Sequence, residues 1–463
     1  MEFTISITNK GKKCLMQDGY IYRIDSTLTD GSISWRCTNK KCKGRLKTDS
    51  TMTEVIAPIQ CEHSHEKDDK KLERQQIRAS VKRKATDDLT IRPSKLIRTE
   101  LQKFSGNELE STHVRSIAQS LYRERRKVYP VLPKTRQELH QALNSMTTST
   151  NKGEDFILEN SPEKGLVILS CATNLKFLTN TADEIFVDGT FKCCPKFFYQ
   201  LYTIHGLSNG HYIPLVYALL PGQSEENYRN MWTCLTDTCS ARNLLLKPSV
   251  IHADFEVAML IVLRDIYPTA VIKCCRFHLG QAWWRKIQNL GLANEYKDNN
   301  SDIGQWLKLS FGLHFIDPTE VEDCFVDELM ADAPQDDRCT RFADYLVDNY
   351  ISLNSKYPPV LWAEIPSHTK RTNNAAESFH AHFNEQFYTS HPSIFVFLDV
   401  LVKLQSNTYI KIRSVSKPAT VRKPEQNRNE YAISQYNKYI AGEIDRHNYM
   451  KSLGNKFRAN TKL

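Results

Sequence analysis

The stretch Glu184-Ile-Phe-Val-Asp188-Gly-Thr190 constrains the fold most. An apolar run bounded by a glycine reads as a buried strand, and this one delivers a carboxylate at its end. Ser249-Val-Ile-His-Ala-Asp254 repeats the pattern. Between them, 197–204 and 212–220 read as strands joined by the hairpin turn Gly206-Leu-Ser-Asn-Gly210. Residues 225–243 read as a helix with Tyr228, Met231, Trp232, Leu235 and Cys239 on one face. A helix over 255–267, a strand over 270–275 and a helix over 278–290 follow. Upstream, strands are expected at 156–158 and 166–171, with a short helix or turn over 174–181. Each acid also has a plainer reading. Asp-Gly is a turn dipeptide, and Asp254 can simply cap the helix after it.

The order β-β-β-α-β-α-β-α resembles the ribonuclease H-like fold, in which the first and fourth strands are neighbours. Asp188 and Asp254 would then lie side by side. Two adjacent carboxylates repel each other unless a cation sits between them. Hard divalent ions take oxygen ligands, and a pair of them activates the attacking and leaving oxygens of a phosphodiester. A third carboxylate is sought on a helix. Glu377, in Arg371-Thr-Asn-Asn-Ala-Ala-Glu-Ser-Phe-His-Ala-His-Phe383, is the candidate. Thr372 or Asn373 would cap that helix. Ala376, Phe379 or His380, Phe383 and Phe387 would pack, leaving Glu377 beside that face or simply on the surface. Glu256 is a weaker stand-in for Asp254 and is expected to face elsewhere. Cys275 and His278 are either half of a metal site or a strand-end thiol and a helix-start histidine supporting the acids. Cys193, Cys194 and Cys274 read as core thiols.

Residues 1–66 have a different texture: short alternating runs, 3–7, 19–24 and 32–35, separated by Gly and Asp turns. Cys37 and Cys42 are followed by Cys61-Glu-His63-Ser-His65. Thiolates and imidazoles in this pattern are the ligands of a structural Zn2+, which supplies folding energy that so small a unit lacks. Cys61 is an alternative to one histidine. Lys40, Lys41, Lys43, Arg45 and Lys47 surround Cys42, and form either a phosphate-binding knuckle or a solvated charge run. Phe3, Leu15, Tyr22, Trp35, Cys37/Cys42 and His63/His65 together resemble the FLYWCH-type zinc finger over 3–65. That resemblance implies a small β-rich zinc domain for DNA or protein contacts.

The chain carries a net charge of +9 with 25% charged and 40% hydrophobic residues. No apolar run is long enough for a membrane span. The opening Met-Glu-Phe-Thr-Ile-Ser lacks a signal-peptide pattern, so the 13 cysteines are expected to be reduced thiols or metal ligands. Residues 67–136 hold 19 Lys/Arg against 9 Asp/Glu. They read as a connector, disordered or weakly helical at first, with a helix at 108–127 and a short one at 135–146. Val81-Lys-Arg-Lys84 and Arg123-Glu-Arg-Arg-Lys127 suit nuclear import or phosphate contact. Helices at 303–311, 319–330 and 336–356 read as an all-α insertion before Glu377. Trp283, Trp284, Trp306 and Trp362 read as core or as base-stacking platforms. Another helix is expected over 394–414. Residues 408–463 carry 12 Lys/Arg against 4 Asp/Glu and track phosphates or form a solvated tail.

Phe186-Val-Asp188-Gly-Thr-Phe191, His252-Ala-Asp254-Phe-Glu-Val-Ala258, Cys275-Arg-Phe-His278 and Thr372-Asn-Asn-Ala-Ala-Glu377-Ser-Phe resemble the transposase domain of Mutator-like elements (MULE) over about 155–410. The resemblance implies a DDE transposase. Asp188 would be shared by two Mg2+ or Mn2+ ions, with Asp254 and Glu377 each completing one. Water would cut the element ends, and the freed 3′-hydroxyl would attack target DNA. The expected architecture is multi-domain, a small β-rich zinc finger followed by an α/β ribonuclease H-like catalytic core with an all-α insertion. Its parts are the finger (1–66), a basic helical connector (67–150), the first part of the core (151–295), the insertion (296–368), the end of the core with the glutamate helix (369–415) and a basic tail (416–463). Expected partners are double-stranded DNA, as element ends and target, and further copies of the chain on DNA, with no membrane and a nuclear location. Two alternatives are a non-catalytic zinc-finger DNA-binding regulator derived from such an enzyme, and a nuclease of the same fold.

Overall fold

Six short strands form the N-terminus of the computed structural model, which describes residues 3–8, 11–57, 62–103, 109–367 and 374–459. The chain divides into two units, 1–132 and 133–463. In the first, β1 (Thr4–Ile7), β2 (Lys13–Gln17), β3 (Tyr20–Thr27), β4 (Ile33–Cys37), β5 (Arg45–Thr48) and β6 (Val55–Ala57) form one sheet in sequence order. All its pairs are antiparallel. Leu15, Tyr22, Ile33, Trp35 and Leu46 fill its core. The Trp35 indole donates to Thr48 Oγ1 at 2.9 Å, so its one polar atom is satisfied.

The same unit continues into α1 (Asp69–Lys84), α2 (Pro93–Leu101) and α3 (Ser111–Val128). Ile77, Val81, Leu96, Ile97, Ile117 and Leu121 form their common core. The expectation of disorder or weak helix after residue 66 is therefore corrected. The stretch has few aromatics, but Ile77 and Val81 fall four apart on one helix face and find partners on α2 and α3. Glu100, 1% exposed, is neutralised by Lys84 and Lys103, each at 2.7 Å. Buried Arg125 donates to the carbonyls of Ala85 and Ile91 at 3.0 and 2.7 Å.

The second unit opens with α4 (Arg136–Asn144), β7 (Ile157–Ser161), β8 (Leu166–Leu169) and α5 (Ala172–Asn180). Then come β9 (Glu184–Thr190), β10 (Gln200–Ser208), β11 (His211–Leu220), α6 (Glu225–Ser240), β12 (Val250–Ala253), α7 (Val257–Ile266), β13 (Val271–Cys274) and α8 (Arg276–Asn289). The sheet order is β13-β12-β9-β10-β11-β8-β7. β12 lies parallel to β9, with Ile251 opposite Ile185, and β9, β10 and β11 are antiparallel. β10 begins later than the apolar run 197–204 suggests. The preceding loop instead buries Cys193, Cys194 and Phe198.

Helices α9 (Ala293–Lys297), α10 (Asp302–Ser310), α11 (Val321–Cys324) and α12 (Asp337–Leu346) form the stretch after the sheet, with a 3-10 turn at Phe311–Phe315. α13 (Asn374–Glu385), α14 (Ile394–Ser414), α15 (Lys423–Ile440) and α16 (Arg446–Phe457) complete the unit. Trp283, Trp284, Trp306 and Trp362 are at most 5% exposed. They pack as core and offer no free ring face to a base. The tail is helical, and its last helix is docked rather than solvated. α16 docks its buried Tyr449, Met450 and Leu453 on the insertion, and the Tyr449 hydroxyl donates to the Phe315 carbonyl at 2.9 Å. Gly312 and Gly454 permit this close approach, since a methyl at either would strike backbone of the facing segment. Among the described residues no helix is long and apolar enough to cross a membrane.

Candidate functional site

Two clusters of metal-ligating side chains occur among the described residues. In the first, β4 ends on Cys37, a tight turn carries Cys42, and the segment after β6 returns His63 and His65. Their donor atoms all lie within 4.8 Å of one another. Cys37 Sγ is 3.2 Å from His65 Nε2, and Cys42 Sγ is 3.2 Å from His63 Nδ1. Bonds of 2.0–2.3 Å around tetrahedral zinc place ligands about 3.5 Å apart, so the donor set suits a structural zinc. The other ring nitrogens are engaged. His63 Nε2 meets the Tyr22 hydroxyl at 2.7 Å and His65 Nδ1 meets the Glu66 carbonyl at 2.8 Å, which fixes which nitrogen faces the metal. Burial, then the neighbouring His65, push the His63 pKa down and keep it neutral for ligation. Burial alone would raise Cys42, but the amides of Gly44 and Ser64 hold its thiol below the ordinary value. Cys61 lies outside the described residues. Lys40, Lys41, Lys43 and Arg45 are exposed beside the knuckle, and Arg45 is 3.4 Å from Asp25.

The acids gather in the second unit. Asp188 is 5% exposed in β9, and the strand runs on through Gly189 to Thr190 rather than turning there. Gly189 is needed for a different reason. A Cβ on it would lie 2.7 Å from Gln200 Oε1. Asp254 follows β12, and the parallel pairing with β9 brings the two carboxyl groups into hydrogen-bonding contact. α13 carries Glu377 and, one turn on, His380. Thr372 and Asn373, the expected caps, lie outside the described residues.

Each acid has an imidazole beside it. His380 Nδ1 is 3.0 Å from Asp188 Oδ2. His278 bridges two acids, with Nδ1 2.6 Å from Asp254 and Nε2 3.4 Å from Glu377. Neither His278 Nδ1 nor Glu377 Oε1 has a well-directed hydrogen bond, so this bridge is held by charge more than by alignment. Burial would raise Asp188, but the His380 contact, followed by the charge of His278, holds it below the ordinary value. Asp254 moves the other way, raised by burial and by the Asp188 charge against the pull of His278. Burial and the two aspartates, partly offset by His278, push Glu377 up to about 7. Burial opposes charging of His278, yet Asp254 and Cys275 lift it to about 11. Cys275, His278 and Glu377 bring their donor atoms within 4.8 Å of one another. The sequence pair Cys275/His278 thus lies at the acids.

Three further features are absent from the sequence reading. His380 was assigned only to packing, although its spacing of three from Glu377 puts both on one helix face. Behind it runs a buried relay, with His380 Nε2 2.9 Å from Thr203 Oγ1 and His205 Nε2 3.0 Å from the same oxygen. Burial pushes His205 down to about 3, so it is neutral. Glu256 does not face elsewhere. It lines a cavity of about 90 Å3 together with Asp188 and Asp254. It accepts from the Tyr228 hydroxyl at 2.8 Å, and Tyr228 in turn holds Gln200 at 2.7 Å. No regular spacing announces that network, because its members come from β10, α6 and the β12–α7 turn.

Comparison with known families finds two domains. The MULE transposase domain matches residues 184–282, which include Asp188, Asp254, Cys275 and His278 but end before Glu377. The FLYWCH zinc finger domain matches residues 5–65. No curated protein matches the chain. The chain therefore carries a MULE transposase domain and, ahead of it, a FLYWCH zinc finger domain.

Proposed function

We propose that the protein is a DDE-type DNA transposase of the Mutator-like class, with a ribonuclease H-like core. The observation that carries this reading is the meeting of Asp188, within β9, and Asp254, just past the end of the parallel strand β12, with Glu377 joined to Asp254 through His278. Burial first, and then the neighbouring carboxylates, raise Asp254, Glu256 and Glu377 despite the imidazoles beside them, and such a site suits divalent cations. Asp188, Asp254 and Glu377 would hold Mg2+ or Mn2+. When bound, these ions supply Lewis-acid activation of phosphodiester and attacking oxygens.

The chain's own residues hold and orient. β9 fixes Asp188 in one position, and His380, backed by Thr203, keeps its carboxylate aimed. α13 presents Glu377 to His278 at 3.4 Å. Zinc held by Cys37, Cys42, His63 and His65 folds the finger, whose exposed Lys40, Lys41, Lys43 and Arg45 would contact the DNA backbone. The reaction cleaves a DNA strand with water and joins its 3′-hydroxyl to target DNA, with assembly of further copies on the ends and action in the nucleus.

One observation favours a second reading, a non-catalytic DNA-binding regulator of the same descent. Each acid already has an imidazole within 3.4 Å. Incubating the protein with labelled element-end duplex and target plasmid, in Mg2+ or Mn2+, separates the readings. Cleavage and joining lost in Asp188→Asn support the transposase. Cleavage without joining indicates a nuclease, and binding without cleavage in either metal indicates the regulator.

A further inference from the structure

We propose that the groove between the zinc-finger sheet and α1 is a binding track for the phosphodiester backbone of double-stranded DNA. Lys12, Lys13, Arg23, Lys71, Arg74 and Arg78 line this groove of about 730 Å3, and no carboxylate is among the described residues that line it. The inference rests on DNA being the substrate, as proposed above. It moves the main electrostatic contact away from the knuckle lysines.

The six charges are not a run in the sequence. Lys12 precedes β2 and Lys13 opens it, and Arg23 lies on β3, where it pairs with Cys14. Lys71, Arg74 and Arg78 recur at helical spacing, so α1 turns all three to one side. Folding therefore gathers cations that a solvated surface would let diverge. Arg78 sits deepest. It is 5% exposed, with a guanidinium nitrogen 2.6 Å from Ser116 Oγ. Burial, and then the charge of neighbouring Arg74, lower its pKa. Like charges crowded this way destabilise a fold unless an anion enters.

The basic clusters prominent in the sequence behave differently. Lys82 and Lys127 are paired with Glu124 at 3.3 and 2.9 Å. Lys84 and Lys103 are paired with Glu100. Arg45 of the knuckle faces Asp25. Within this unit the groove concentrates positive charge without acids among its described lining residues, and a phosphate backbone supplies evenly spaced negative charge. Thr38, beside the zinc ligand Cys37, also lines it, so the track borders the metal-ordered knuckle.

The test uses the full zinc-loaded chain, fluorescence anisotropy on a labelled 20-base-pair duplex without divalent metal, and a salt titration. Each lost phosphate contact removes about 0.9 from the slope of log affinity against log salt. The combined variant Lys12→Gln, Arg23→Gln, Lys71→Gln, Arg74→Gln should have a slope shallower by about 3 to 4. Its zinc content should match wild type, and its melting temperature should be no lower. If the combined variant misfolds, Lys71→Gln and Arg74→Gln alone should each lower the slope by about 0.9. A slope unchanged in folded variants overturns the groove while leaving the transposase reading intact. A wild-type chain with no salt-dependent affinity for duplex overturns both. Tighter groove-dependent binding of an RNA of equal length overturns the assignment to DNA.

Discussion

Replacing Gly44 with alanine should damage the zinc site without touching a ligand. The new methyl would lie 2.8 Å from His63 Cε1, 3.2 Å from its Nδ1 and 3.4 Å from Cys42 Sγ. Ordinary carbon contacts need about 3.5–4.0 Å, so something must move by roughly half an ångström to an ångström. His63 has little room to retreat. Tyr20 stacks on it at 3.5 Å, nearly parallel, and the Tyr22 hydroxyl holds its far nitrogen at 2.7 Å. Forcing one extra carbon into such packing costs about 1–3 kcal/mol. Carried into metal binding, that is about a 5- to 150-fold loss of zinc affinity. Chelator competition on the two proteins measures it, with thermal melting in excess zinc as the companion. Gly280→Ala is the control, because its Cβ would meet only Phe311 at 3.8 Å inside α8, where alanine is favoured over glycine by about 0.5–1 kcal/mol. Zinc affinity of Gly44→Ala within twofold of wild type would refute the argument.

Three further outcomes follow from the geometry. His380→Ala leaves Asp188 buried without the imidazole that contacts it at 3.0 Å, and should lower metal-free stability by about 3 kcal/mol. Mg2+ should restore part of that loss in urea titrations, and equal curves with and without Mg2+ would contradict the role given to His380. The raised Glu377 pKa means that the folded protein holds a proton the unfolded chain releases. Stability of wild type relative to Glu377→Gln should therefore fall as pH rises from about 4.5 to about 7. A constant gap in melting temperature across that window would rule this out. Gly454→Ala should strike the Lys308 carbonyl and loosen α16. Faster amide exchange in α16 than in α6 would report it, and unchanged protection there would count against the docking.

The apolar runs ending at Asp188 and Asp254, and the Cys/His spacing near the N-terminus, were legible because each is local. Strand period, strand-end carboxylate and ligand spacing are all properties of a few consecutive residues. The helical insertion was legible for the same reason, since its periodicity survives in short windows. The early part of the connector was misread because its core is spread over three helices with few aromatics, and the acids Glu100 and Glu124 neutralise lysines distant in sequence, whereas the helices expected at 108–127 and 135–146 are found as α3 and α4. The docking of α16 was not legible, because composition cannot show that Gly312 and Gly454 let it approach backbone closely.

By itself, then, the sequence determined which residues could serve as strand-end acids and zinc ligands, through spacing and side-chain chemistry. Only the tertiary structure decided what each acid touches. His380 reaches Asp188 from α13, His278 spans Asp254 and Glu377, and Glu256 turns into the Asp188 cavity. The same holds for the cationic groove, whose charges come from two strands and a helix. Electrostatic interaction depends on separation in space, and separation between elements is set by packing rather than by distance along the chain.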